Sequence, residues 1–82
     1  MQKIISDDQA RRVPFWVIRE LGKKVRLSKP YKDSTGRVYP AGSTGRLESI
    51  QSGRRSAFAT VVLDADPIES EENFQFGDLR PL

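Results

Sequence analysis

Lys23, Lys24, Arg26, Lys29 and Lys32 crowd into ten consecutive residues, Tyr31 and Tyr39 lie close by, and Arg54 and Arg55 share a later turn. Cations attract phosphate and exposed rings stack on bases, so this set points towards nucleic acid. A second set, Pro14-Phe15-Trp16-Val17-Ile18, is apolar and carries the sole tryptophan, a residue type enriched at interface hot spots; Phe15 and Trp16 are therefore candidates for a protein contact. Each set also has a plainer reading. Lysine and arginine at water-facing strand positions supply solubility and edge protection, and an apolar cluster in so small a chain plugs its own core.

Other chemistries lack their residues. The chain has no cysteine and no histidine, which removes disulfides, thiolate metal sites, cysteine nucleophiles and the commonest general base and metal ligand. Gly36 to Thr44 is rich in glycine, serine and threonine, but it lacks the GxxxxGK[ST] spacing and the lysine of a phosphate loop. Asp64-Ala65-Asp66 opens like a calcium loop, yet Ile68 stands at a ligand position and Glu69 where the sharp-turn glycine belongs. The expectation is a protein that is not an enzyme and uses no cofactor and no metal.

Length and charge set the frame for these residues. Eighty-two residues suffice for one core and not two. The longest apolar run, Pro14 to Ile18, is far short of a bilayer span, and Asp7, Asp8, Arg11 and Arg12 interrupt any leader-like stretch. The expected location is the cytoplasm, with no membrane partner. Net charge is only +3, but 13 of the 14 Lys and Arg lie in residues 1–62 beside five carboxylates, whereas the last twenty residues hold Arg80 and six carboxylates. Five of those six fall between Asp64 and Glu72. If this acidic stretch folds back over the cations, it masks them.

The elements that must position these residues read as follows. Ser6 with Gln9 three residues on forms a capping-box signature, with Asp7 and Asp8 in the first turn, so a short helix is expected near 7–12. Val13 precedes proline and ends it. Pro14 then opens a second helical turn, with Phe15, Ile18 and Leu21 on one side and Gly22 past its end, although the same residues are good strand formers. From Lys24 the period changes to two, with Val25 and Leu27 on one face and Lys24 and Arg26 on the other. Lys32 to Arg37 reads as a long hairpin tip, Val38-Tyr39 as a brief extended piece, and Arg46 to Gln51 as a strand whose alternation slips near Ser49, as at a bulge or a strand end. Ser52 to Ser56 is a polar turn, Phe58 to Leu63 the most apolar and expectedly central strand, and Asp64 to Asn73 an acidic loop before the closing Phe74 to Leu82.

Five short strands punctuated by turns indicate a mainly β domain. Val25-Arg26-Leu27, Pro40-Ala41-Gly42-Ser43-Thr44-Gly45-Arg46-Leu47, Val61-Val62-Leu63 and Asp78-Leu79-Arg80-Pro81-Leu82 together resemble an SH3-like barrel of the KOW type or of small bacterial accessory proteins. Gly42 and Gly45 offer the positive φ or close strand approach that such curvature needs. The resemblance implies a five-stranded barrel over 22–82, a helical extension over 1–21 packed on it, and a non-enzymatic binding module. The partner class expected first is another protein or a second copy of the chain. Nucleic acid is the alternative, held by Lys24, Arg26, Lys29, Lys32, Arg54 and Arg55 with Tyr31 and Tyr39 stacking. The chain lacks the acidic and aromatic loop pattern of signalling SH3 domains, so proline-peptide recognition is not implied.

Overall fold

A computed structural model describes residues 13–52 and 56–82. The helix expected near 7–12 and the cations Arg54 and Arg55 lie outside the described residues. Chain order is a short helix α1 (Phe15–Arg19), then β1 (Lys24–Leu27), β2 (Tyr31–Lys32), β3 (Val38–Tyr39), β4 (Thr44–Ser52), β5 (Ala57–Leu63), β6 (Glu71–Phe74), a 3-10 turn (Phe76–Asp78) and β7 (Leu79–Pro81).

The alternation read from sequence becomes a two-faced antiparallel sheet. Strands run in the order β6-β5-β4-β1-β7, and β2 and β3 form a separate hairpin. Val25, Leu27, Leu47, Ala59, Val61, Leu63, Phe74 and Leu79 face one side and are buried there with Val13, Val17 and Tyr39. Lys24, Arg26, Arg46 and Arg80 occupy exposed positions of β1, β4 and β7. The β4–β5 register slips between Leu47 and Ser49, leaving Glu48 as the extra residue at the bulge expected near Ser49.

Connection length bends the sheet. β4 is antiparallel to β1, β5 to β4, β6 to β5, and β7 to β1, so β6 and β7 run the same way at opposite edges. Four residues, Gln75–Asp78, join them. Across a flat five-stranded sheet the edges would stand about 19 Å apart. The chain from Phe74 to Leu79 spans at most about 17 Å when fully extended, and the 3-10 turn shortens it. The sheet must curl around its apolar face.

The curl stops short of closure, because β6 and β7 share no ladder. The expectation of a five-stranded barrel is therefore corrected to a curled five-stranded sheet with one short helix. Two further readings change. β4, not the more apolar β5, is central, and the expected acidic loop already turns into strand at Glu71. Glu71 and Glu72 pair with Val62 and Val61, so cross-strand hydrogen bonding overrides their weak strand propensity.

Two glycines fit their positions for different reasons. Gly42 has φ +92° in the turn before β4, where its N–H donates to the Leu27 carbonyl at 2.8 Å. Gly45 instead lies against β5: a Cβ there would meet the Val62 carbonyl oxygen at 2.6 Å and Val61 Cγ1 at 2.8 Å.

Candidate binding surfaces

Pro14 is extended at ψ 143° and caps α1, with its carbonyl accepting from Val17 N–H at 3.0 Å. One turn of helix cannot bury every apolar residue it carries. Val13 and Val17, four apart, point into the core, and Trp16 packs half-buried against it. The side that carries Phe15, Ile18 and Leu21 is the one left out: Phe15 is 73% exposed, Ile18 38% and Leu21 46%. Phe15 and Ile18 lie three apart on the same helical face. The Arg19 guanidinium stands 5.8 Å from the Phe15 ring centroid and pairs with Glu20 at 3.2 Å. Past the helix, Gly22 (φ +84°) donates to the Leu47 carbonyl at 2.8 Å, tying α1 to β4.

The expected basic set is brought together only in part. Lys24 and Arg26 are exposed on β1, Lys29 lies beyond its end, and Lys32 is exposed on β2. Lys24 pairs with Asp64, and Lys29 reaches Asp78 at 3.0 Å. Thr44 Oγ1 donates to the other Asp64 oxygen at 2.6 Å. The Lys24 ammonium, followed by the Thr44 hydroxyl, holds the Asp64 carboxyl below the usual carboxylate range. The acidic stretch thus folds back onto β1 and β4 at Asp64. Along one row of the sheet's outer face, charge passes from Lys24 and Arg46 through Val62 to Glu71.

The two tyrosines do not form a stacking platform. Tyr39 is 2% exposed, which corrects its expected role, since a ring inside the core cannot stack on a base. Tyr31 is half-buried, its ring centroid 4.6 Å from that of Phe74 and 6.3 Å from that of Tyr39. Its hydroxyl donates to Glu72 at 2.6 Å, and burial together with this bond pushes its pKa up to about 12. These rings lock the β2–β3 hairpin to the end of β6. Burial likewise raises the Tyr39 phenol, whose oxygen has no hydrogen-bond partner among the described residues.

The calcium-like stretch is occupied by its own turn. Asp66 is buried and accepts from the N–H groups of Ile68 and Ser70, both at 3.0 Å, while Glu69 takes φ +53° between them.

Three exposed side chains join the candidates from structure alone. Arg46 could have been read from the alternation around Leu47, and Ile18 from its spacing to Phe15. Arg80 could not, because it gains its place by pairing with Arg26 more than fifty residues earlier. Among the described residues, no helix is long and apolar enough to cross a membrane. No protein-family model matches the chain, and searches of curated proteins and of solved structures give no match either.

Proposed function

We propose that this chain is a non-enzymatic binding module that docks on another protein through the outer face of α1. The observation that carries the reading is the exposed line of Phe15, Ile18 and Leu21 on a segment whose other side is anchored by Val13 and Val17. An apolar strip held by a rigid base loses little conformational entropy when a partner covers it. The architecture we propose beneath it is an incompletely closed SH3-like barrel. Its support is the curl forced by the short β6–β7 connection and the single apolar interior that the curl surrounds.

Nucleic acid is the second reading, favoured by the exposed Arg26 and Arg80. It rests on phosphate attraction alone, because the tyrosine rings are engaged elsewhere.

One capture experiment separates the two. Tagged protein is cross-linked in the cells that make it and recovered with and without nuclease, alongside a Phe15→Ser/Ile18→Ser variant. The docking reading expects a protein species that survives nuclease and disappears with the variant, while the variant's urea midpoint is unchanged. Capture that nuclease abolishes and the variant retains would overturn it. Light scattering on the free protein then tells a second copy from a different partner.

A further inference from the structure

β1 and β7 are paired so that Arg26 stands directly opposite Arg80, both on the exposed face. Opposed residues on antiparallel strands have Cα atoms only about 4.5–5.5 Å apart, and like charges placed there repel. The four ion pairs among the described residues engage Arg19, Lys24, Lys29 and Arg46, and neither of these two arginines. The nearest carboxylates in sequence and register, Asp64 beyond Thr44 and Asp78 before Leu79, are already held by Lys24 and Lys29.

The pair also borders a concavity. Arg26, Leu27, Ser28, Ala41, Gly42 and Arg80 line a shallow, solvent-open groove of about 450 Å³ at the end of β1. Arg80 is aimed by its own backbone surroundings: its Nη1 donates to the carbonyls of Gly77 at 2.9 Å and Leu79 at 2.8 Å. Among the described residues no acceptor contacts its Nε or Nη2. A guanidinium fixed by one nitrogen presents the rest of its planar fork without further ordering.

We propose that Arg26 and Arg80 form a two-pronged receptor for a phosphate group seated in this groove. A tetrahedral oxyanion between two guanidiniums accepts a charge-assisted hydrogen bond from each and cancels their repulsion. This site lies on the sheet and does not depend on docking through α1. The phosphate is either a monoester on a small molecule or a diester in a nucleic-acid backbone, and the geometry of the fork serves both.

The test follows the arginine Nε–Hε signals by NMR while inorganic phosphate replaces chloride at constant ionic strength. The signals of Arg26 and Arg80 are expected to shift together and saturate. Arg26→Gln and Arg80→Gln should each weaken binding about tenfold or more, and Arg37→Gln, at an exposed position away from the groove, by no more than about twofold. Thermal melts keep folding out of the reading. In chloride, Arg26→Gln should melt no lower than wild type because a like-charge contact is gone, and replacing chloride by phosphate should raise the melting temperature of wild type by more than that of this variant.

Non-saturating shifts spread over surface arginines would overturn the proposal, as would phosphate affinity unchanged in Arg26→Gln or a variant that melts lower in chloride. Two further arms use the same signals. Tighter binding by a short single-stranded oligonucleotide than by inorganic phosphate assigns the diester, and tighter binding by glycerol phosphate assigns the monoester; either supports the site. The Phe15→Ser/Ile18→Ser variant should bind phosphate as wild type does, so failure of the docking reading and failure of this one are distinguishable.

Discussion

A methyl group on Gly45 would stand inside the contact distance of three β5 atoms, two of them backbone. Backbone held in a ladder cannot move aside cheaply, so Gly45→Ala is expected to destabilise by about 2–3 kcal/mol. Gly42→Ala meets open space and faces only its φ of +92°, with an expected cost of about 1–2 kcal/mol. Urea unfolding of the two variants side by side gives the order. Tyr39 presents the opposite case, since its buried hydroxyl has no hydrogen-bond partner among the described residues. Tyr39→Phe is expected to be neutral or stabilising by up to about 1 kcal/mol. That variant also leaves Tyr31 as the sole tyrosine, and its phenolate absorbance should emerge only near pH 12. The folded pKa is raised above the unfolded value near 10. The contribution of Tyr31 to stability is therefore complete below pH ~10 and is lost as pH climbs through the folded value. A midpoint near that of free tyrosine would show that neither the burial of the ring nor the Glu72 bond is kept in solution.

Among the elements, α1 divides its residues most sharply. Val17→Ala opens a cavity at a position with no exposure and is expected to cost about 2 kcal/mol. Phe15→Ser, on the other side of the same turn, should change stability by no more than about 0.5 kcal/mol. Denaturation of both variants checks the division, and equal losses would mean that the helix is seated differently. Much of this element level was legible beforehand. Alternation located β1, the slipped alternation of Leu47 and Ile50 located the bulge, and the Pro-first, Gly-last pattern located the helical turn between Pro14 and Gly22. Which side of α1 is buried was not legible, because Phe15 with Ile18 and Val13 with Val17 are both acceptable helical spacings. Packing, which is nonlocal, decides between them. The strand at Glu71 was hidden for a related reason: its ladder partner β5 supplies the preference that Glu71, Glu72 and Asn73 lack. Tyr39 reads as an exposed aromatic in a turn-rich stretch, and only the fold of the β2–β3 hairpin over Phe74 turns it inward.

For the molecule as a whole, the boundary read between 21 and 22 separates residues that share one core. Val13 and Val17 are buried with the strand residues, so a fragment of residues 22–82 should lose roughly 3 kcal/mol or more relative to the full chain. Its urea curve measures the loss. In the full chain Trp16 fluorescence, which reports on α1, and circular dichroism, which reports on the sheet, should give coincident transitions. An earlier fluorescence transition would show that α1 detaches independently. The pairing of β1 with β7 carries a consequence in time. β4 and β5 meet through a nearby turn, whereas Leu27 must wait for Leu79 and Val25 for Pro81. Closing so long a loop before any contact repays it is slow. As the chain is synthesised, the β4–β5 hairpin can form while one side of β1 still has no neighbour. In those seconds β1 is open to pairing with another nascent chain, and the positive charges of Lys24 and Arg26 then guard it by repelling an identical strand.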